Sequence, residues 1–162
     1  MLVVRRKIDW TADSNAILVY LAARYDGSGR WLPRDPVGAA RVQRWLSVAA
    51  GPLASGPAAA RRCVVFGSGP VEPRWVKAAA DLFGLIDAHL AVNAFLAGDQ
   101  PTIADVGVYS YTAHAPEGGV SLDGFPSLRA WLARVEGLDG FVPMQATPLA
   151  GARPAGAGDV AR

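Results

Sequence analysis

The sequence is poor in cysteine, lysine and histidine, and it has no long apolar run. A single cysteine, Cys63, excludes an internal disulfide and fits a reducing compartment. The two histidines, His89 and His114, have no cysteine or carboxylate at ligand spacing, so we expect no metal site. No apolar stretch approaches the roughly 20 residues that span a bilayer, and the first residues lack the pattern of a secretion signal. We therefore expect a cytoplasmic protein without a membrane partner.

Charge is sparse, and the basic residues form no cluster. The formal net charge is +2, with fourteen arginines against two lysines. The arginines are scattered and do not alternate with aromatic residues as on a stacking surface, so nucleic acid is not an expected partner. Hydrophobic residues make up 51% of the sequence, which indicates a folded body with one core, or one domain and part of another.

The first part of the chain predicts a β-hairpin followed by a helix. Short β-prone runs flank the charged turn at 5–7. An amphipathic helix is expected over 13–25, beginning at Asp13 and Ser14, since both residue types are favoured at helix starts. Glycines and a serine end this helix, and residues 26–35 predict a linker.

The remainder predicts a bundle of helices, each with an apolar face. Asp35 and Pro36 begin the first helix. It is expected either to continue or to break and restart around Gly51-Pro52 and Gly56-Pro57, with a kink there. The nearly uncharged stretch 106–113 predicts a helix buried on most sides. The apolar positions at helical spacing are Val42, Trp45, Leu46, Ala49, Val76, Ala79, Phe83, Ile86, Leu90, Leu128, Trp131, Leu132 and Val135.

Four polar positions are assigned roles. Thr102 and Asp105 form a capping-box variant, in which each side chain bonds the backbone of the other, and their role is structural. Cys63 follows two arginines, which would favour a reactive thiolate if they face it, whereas a buried small hydrophobic role is the alternative. His114 has no neighbour that would tune it as a base.

The order of these features resembles that of the glutathione transferase family, bacterial type. The helix at Asp13-Ser14 is similar to the family's glutathione-binding helix, and the resemblance runs from about residue 1 to about residue 148. Its other parts follow in the family's order: Trp31-Leu32-Pro33, Gly98…Thr102-Ile103-Ala104-Asp105, Pro126-Ser127-Leu128-Arg129-Ala130-Trp131 and Gly140-Phe141-Val142-Pro143.

This resemblance implies a mainly α fold, a glutathione-transferase-like C-terminal helical bundle preceded by a β-hairpin and helix that are the remnant of a thioredoxin-like domain. The implied domains are a thioredoxin-like glutathione-binding remnant at 1–25, a linker at 26–35, an all-helical domain at 36–148 and a disordered tail at 149–162. The family's first strand, first helix and second strand have no counterpart, nor does its thiolate-stabilising Tyr, Ser or Cys.

The resemblance also implies an activity: conjugation of glutathione, a co-substrate rather than a cofactor, to a small electrophile by a homodimer, in detoxification. Asp13 and Ser14 would bind the γ-glutamyl end of glutathione, and Arg41, Trp45 and Tyr109 would line the electrophile pocket. The catalytic residue is unknown, so we expect this chain to be weakly active or inactive, and peroxidase or disulfide-exchange chemistry stays open.

A second function belongs to a different class. The chain would then be a non-catalytic helical module that dimerises or binds small apolar ligands. Asp13 and Ser14 would simply cap a helix, Trp45 would belong to the core, and Arg41 would be a solvated side chain. Binding to immobilised glutathione separates the two interpretations.

Overall fold

The computed structural model describes residues 4–6, 8–11 and 13–147 of the chain. Its helices are α1 (Ser14–Tyr25), α2 (Pro36–Val48), α3 (Pro57–Phe66), α4 (Pro73–Leu90), α5 (Ile103–Ala113) and α6 (Pro126–Glu136). A π-helical turn, Ala49–Leu53, follows α2, and a 3₁₀ turn, Ala115–Gly118, follows α5. The predicted mainly α fold is confirmed.

Two short strands precede α1. The strands β1 (Val4–Arg6) and β2 (Ile8–Thr11) pair antiparallel, and the register between them is irregular. That this pair and α1 belong to a thioredoxin-like domain stays a prediction, as do the domain bounds. The tail predicted for 149–162 lies outside the described residues.

Aspartate side chains set the starts of the first two helices. The Asp13 carboxylate accepts a hydrogen bond from the Ala16 N–H at 2.8 Å, and Asp35 accepts one from the Gly38 N–H at 2.8 Å. Each bond satisfies a backbone donor that has no partner within its helix. These starts depend on neighbouring residues alone, so the sequence was sufficient to predict them.

The expected kink after α2 is a π-helical turn. Pro52 lies inside it. Proline has no N–H and collides with the carbonyl four residues earlier, so a wider turn lets the chain continue past it. Gly56 then separates this turn from α3, which begins at a second proline, Pro57.

Helix α5 is the central element of the bundle, because it packs against α1, α2, α3 and α6. The described side chains that are less than 2% exposed include residues of α2, α4, α5 and α6: Val42, Phe83, Ile86, Val108, Leu128 and Trp131. The expectation that α5 is buried on most sides is wrong for part of it. Val106 and Tyr111 are 42% and 40% exposed, and Val106 lines an open cavity beside α1 and Trp31.

The 3₁₀ turn lies directly on the backbone of α3. A Cβ at Gly118 would approach the Arg61 nitrogen to 2.5 Å and its Cα to 2.8 Å, which is closer than backbone atoms tolerate. Only a residue without a side chain lets the two elements meet at this distance.

We expect Gly118→Ala to lower the free energy of unfolding by about 1–3 kcal/mol, the usual cost of forcing extra atoms into a packed contact. Urea denaturation measures the change. Gly124→Ala is the matched control, because no atom lies within 4 Å of a Cβ built there. Equal stabilities for the two variants would contradict the close approach.

Candidate functional site

The start of α1 presents a polar end to solvent. Asp13 is exposed and its carboxylate caps the helix. The Ser14 side chain is also exposed, and it makes no hydrogen bond with another described residue. Unpaired N–H groups at a helix start attract anions such as carboxylates, and the Asp13 carboxylate can hold an amine beside them. The structure brings Asp13 and Ser14 together as adjacent exposed groups.

A hydrogen bond fastens this end of α1 to the helical body. The Asn15 side-chain amide donates to the Leu46 carbonyl of α2 at 2.9 Å. Gly107 of α5 makes room for the junction, because a Cβ there would lie 3.2 Å from the Leu46 side chain and 3.4 Å from the Asn15 oxygen. Sequence reasoning missed Asn15, since its partner lies 31 residues away.

The segment between α1 and α2 is an ordered loop built around Asp26. One Asp26 oxygen accepts from the Ser28 hydroxyl at 2.5 Å, and the other accepts from the Trp31 N–H at 2.7 Å. The Ser28 hydroxyl and then the Trp31 N–H lower the pKa of the Asp26 carboxyl below its ordinary value. The Trp31 carbonyl in turn accepts from the Ile103 N–H at 2.9 Å, which joins the loop to the start of α5.

Two apolar cavities lie side by side along α5. The first, which we call the α1 cavity, has a volume of about 430 Å³. The second, the Tyr109 cavity, has a volume of about 410 Å³ and is walled by α5 and residues 138–144. Trp31 and Val106 line both cavities, which are therefore direct neighbours along α5. The remaining residues around the α1 cavity are Leu18, Leu21, Ala22, Tyr25, Asp26 and Ile103.

Tyr109 lines the second cavity and contacts both α6 and the segment after it. Its hydroxyl donates to the Glu136 carboxylate at 2.8 Å, and its ring meets Phe141 edge-on with 5.2 Å between centroids. Burial, then the hydrogen bond to Glu136 and its charge, raise the pKa of Tyr109 to about 12. The hydroxyl is therefore neutral at physiological pH and acts as a hydrogen-bond donor.

Arg41 and Trp45 line a different cavity, of about 260 Å³, between α2 and α4. Trp45 is 5% exposed and packs against the His89 ring with 4.9 Å between centroids, so most of its surface belongs to the core. Arg41 is exposed beside it. The structure thus places Arg41 and Trp45 together but leaves Tyr109 in a separate cavity.

The predicted capping box is present, and it is part of a larger buried network. The Asp105 carboxylate is 1% exposed and accepts from the Thr102 N–H at 2.8 Å. It also accepts from the Leu96 N–H at 3.0 Å and from the Trp131 indole N–H at 2.9 Å. One side chain therefore joins the loop before α5, the start of α5 and the middle of α6.

A second buried polar cluster was not predicted. The Arg61 guanidinium bonds one Glu117 oxygen through Nε and Nη2, both at 2.8 Å, and His114 Nδ1 lies 2.5 Å from the other oxygen. Burial opposes ionisation of Glu117, but the bonds from His114 and Arg61 outweigh it, so the pKa of Glu117 lies below its ordinary value. The 3₁₀ turn brings the Glu117 carboxylate to His114, a contact that was not predicted.

Cys63 is a buried side chain of the hydrophobic core. Cys63 is 8% exposed and lies within α3. Arg61, one of the two arginines before it, is paired with Glu117. The alternative of a buried small hydrophobic side chain is the one that the structure supports.

Comparison with known proteins gives the class of this fold. The family model described as "Glutathione S-transferase, C-terminal domain" matches residues 72–139. The crystal structure of a glutathione S-transferase from Pseudomonas fluorescens is similar with a TM-score of 0.75 and 31% identity, over 83% of this chain and 67% of that chain. The chain therefore belongs to the glutathione S-transferase family.

Curated relatives agree with this assignment. Glutathione S-transferase theta-3 of Mus musculus is 32% identical over 142 residues, and GstB of Escherichia coli K12 is 30% identical over 129 residues. These matches cover 77% and 74% of this chain but only 56% and 59% of the relatives, less than two thirds of their length. Within the described part of the chain, the helices are too short or too polar to span a membrane.

Proposed function

We propose that this chain belongs to an enzyme that conjugates glutathione to small electrophiles. The observation that carries the proposal is the exposed Asp13-Ser14 pair at the start of α1, within a member of the glutathione S-transferase family. In such a reaction the glutathione thiolate attacks an electrophilic carbon, a carbon–sulfur bond forms, and the leaving group departs with its electron pair. The thiolate is the reacting form, because the thiol is a poor nucleophile.

Asp13 and Ser14 are proposed to hold the γ-glutamyl end of glutathione, which carries both an amine and a carboxylate. The Ser14 hydroxyl and the N–H groups of the first turn suit the carboxylate, and the Asp13 carboxylate suits the amine. The Asn15 bond to Leu46 supports this assignment, because it keeps this end of α1 in a fixed position on the helical body.

The Tyr109 cavity is proposed to take the electrophile. Its lining is mostly apolar, which suits an aryl or alkyl electrophile. The Tyr109 hydroxyl donates its proton to Glu136, so it offers a ligand only its oxygen as an acceptor. The roles predicted for Arg41 and Trp45 stay predictions and would concern a polar group in the cavity that they share.

Turnover by this chain alone is expected to be weak or absent. The family's thiolate-stabilising Tyr, Ser or Cys has no counterpart that we recognise in the sequence. For the whole protein we propose a homodimer as the assembly and the cytoplasm as the location.

The test is retention of the purified chain on immobilised glutathione. We expect retention, elution by free glutathione, and at least a tenfold loss of affinity in Ser14→Ala, which corresponds to about 1.4 kcal/mol for a hydrogen bond to a charged group. Ser14 is a better position to test than Asp13, because its side chain makes no hydrogen bond with another described residue, whereas Asp13 caps α1.

Ser127→Ala is the matched control, since Ser127 also lies in the first turn of a helix. Retention of wild type and Ser127→Ala, with loss in Ser14→Ala, would support the proposed site. No retention of wild type, or equal retention of both variants, would refute it. Rapid conjugation of a nitroaryl halide by the chain alone would contradict the expected weak turnover.

One observation favours the alternative of a module that binds small apolar ligands. The α1 cavity is open and apolar, and the large side chains of Leu21 and Tyr25 beside it are 39% and 66% exposed. A chain that binds apolar compounds in this cavity while ignoring glutathione would have that function instead.

A further inference from the structure

The segment after α6 crosses the molecule between two points of attachment. At its first end, Phe141 packs edge-on against Tyr109, and its N–H bonds the Leu138 carbonyl at 3.0 Å. Residues 142–146 are exposed and make no hydrogen bond with another described residue. Thr147, at the second end, is half-buried again. This segment supplies part of the wall of the Tyr109 cavity through Val142, Pro143 and Met144.

The second attachment includes a hydrogen bond from a buried cation to Thr147. Arg61 Nη2 donates to the Thr147 hydroxyl at 3.0 Å. The Arg61 side chain is only 10% exposed, and Glu117 holds its Nε and Nη2. His114 in turn holds the other Glu117 oxygen. The guanidinium therefore has a fixed direction, because turning it would leave a buried charge without its partner.

We propose that residues 142–147 form a strap over the Tyr109 cavity, and that Arg61 latches this strap to α3 through Thr147. Arg61 is a positioning residue here, since it acts on the cavity through the segment that it holds. When the Thr147 bond breaks, the attachment at Phe141 is the one that Val142, Pro143 and Met144 keep within the described residues, and this wall of the cavity loses its order. The proposal does not depend on which ligand enters the cavity.

Substitution of Thr147 tests the latch without removing a buried charge. Thr147→Val keeps the shape of the side chain and deletes the hydroxyl, whereas Thr147→Ser keeps the hydroxyl. In the full chain, ¹⁵N relaxation is expected to give amide order parameters of about 0.8 at 144–147 in wild type and Thr147→Ser, and below about 0.6 in Thr147→Val. Chymotrypsin cleavage after Phe141 or Met144 should become about five- to tenfold faster in Thr147→Val, as for the loss of one hydrogen bond of about 1 to 1.5 kcal/mol.

Gln145→Ala is the control, because Gln145 is exposed within the strap and has no described hydrogen-bond partner. It should leave both measurements unchanged. The proposal is overturned if the wild-type amides at 144–147 already have order parameters below about 0.6, or if Thr147→Val behaves as wild type. It is also overturned if Thr147→Ser is as mobile as Thr147→Val, because the hydroxyl would then have no part in the attachment.

Discussion

Asp105→Ala is expected to lower the free energy of unfolding by about 3–5 kcal/mol, because it breaks a buried hydrogen-bond network with several donors. The Asp105 carboxylate accepts from the Thr102 N–H, the Leu96 N–H and the Trp131 indole N–H, all in the interior. Truncation leaves these donors buried without acceptors, which costs about 1–3 kcal/mol for each group that water cannot reach. Chemical denaturation with urea measures the change.

The control is Asp99→Ala, which removes an exposed carboxylate from the neighbouring loop and should change the free energy of unfolding by less than about 0.5 kcal/mol. Because the hydrogen-bond partners of Asp105 among the described residues do not include Asp13 or Ser14, the folded fraction of Asp105→Ala should retain its affinity for immobilised glutathione. A normal denaturation midpoint combined with lost retention would reverse the assignment and make Asp105 a binding residue.

Glu117→Ala is expected to cost about 3–5 kcal/mol at pH 7, because it leaves the buried Arg61 guanidinium without its counter-charge. The effect should depend on pH. The pKa of Glu117 is lowered in the folded protein from its ordinary value of 4.5, so the unfolded chain binds the proton more readily. The stabilisation from ionised Glu117 is therefore fully present above about pH 4.5 and is lost as the pH falls through the lower folded-state pKa.

Urea denaturation at pH 7 and at successively lower pH measures this difference between wild type and Glu117→Ala. The difference in free energy of unfolding between the two proteins should become smaller as the pH falls below 4.5. Glu72→Ala is the matched control, since Glu72 forms an exposed ion pair with Arg74 and such pairs contribute about 0–1 kcal/mol. A difference that is the same at every pH would mean that the charge of Glu117 does not stabilise the fold.

Features that depend on adjacent residues could be predicted from the sequence. Asp13 and Asp35 cap helices because each carboxylate accepts a hydrogen bond from the backbone N–H three residues later. Thr102 and Asp105 satisfy each other across one turn for the same reason. The core positions of α4 followed from the 3.6-residue period, since only one face of that helix meets the bundle.

The polar contacts that organise the sites could not be predicted in this way. Arg61 and Glu117 are 56 residues apart, and the Trp131 indole lies 26 residues from Asp105. No local pattern distinguishes Arg61 from the other arginines, because its burial depends on the 3₁₀ turn lying against α3. The separation of Tyr109 from Arg41 and Trp45 likewise follows from the packing of three helices rather than from the spacing of the residues.

The amino-acid sequence by itself determined the helical content of the chain, the starts of its main helices and the family to which it belongs, because caps and periodicity act over a few residues. Only the tertiary structure decided which polar side chains became buried partners, where the open cavities lie, and what holds the segment after α6. These depend on distances between elements far apart in the chain, which are set by how the helices pack around α5.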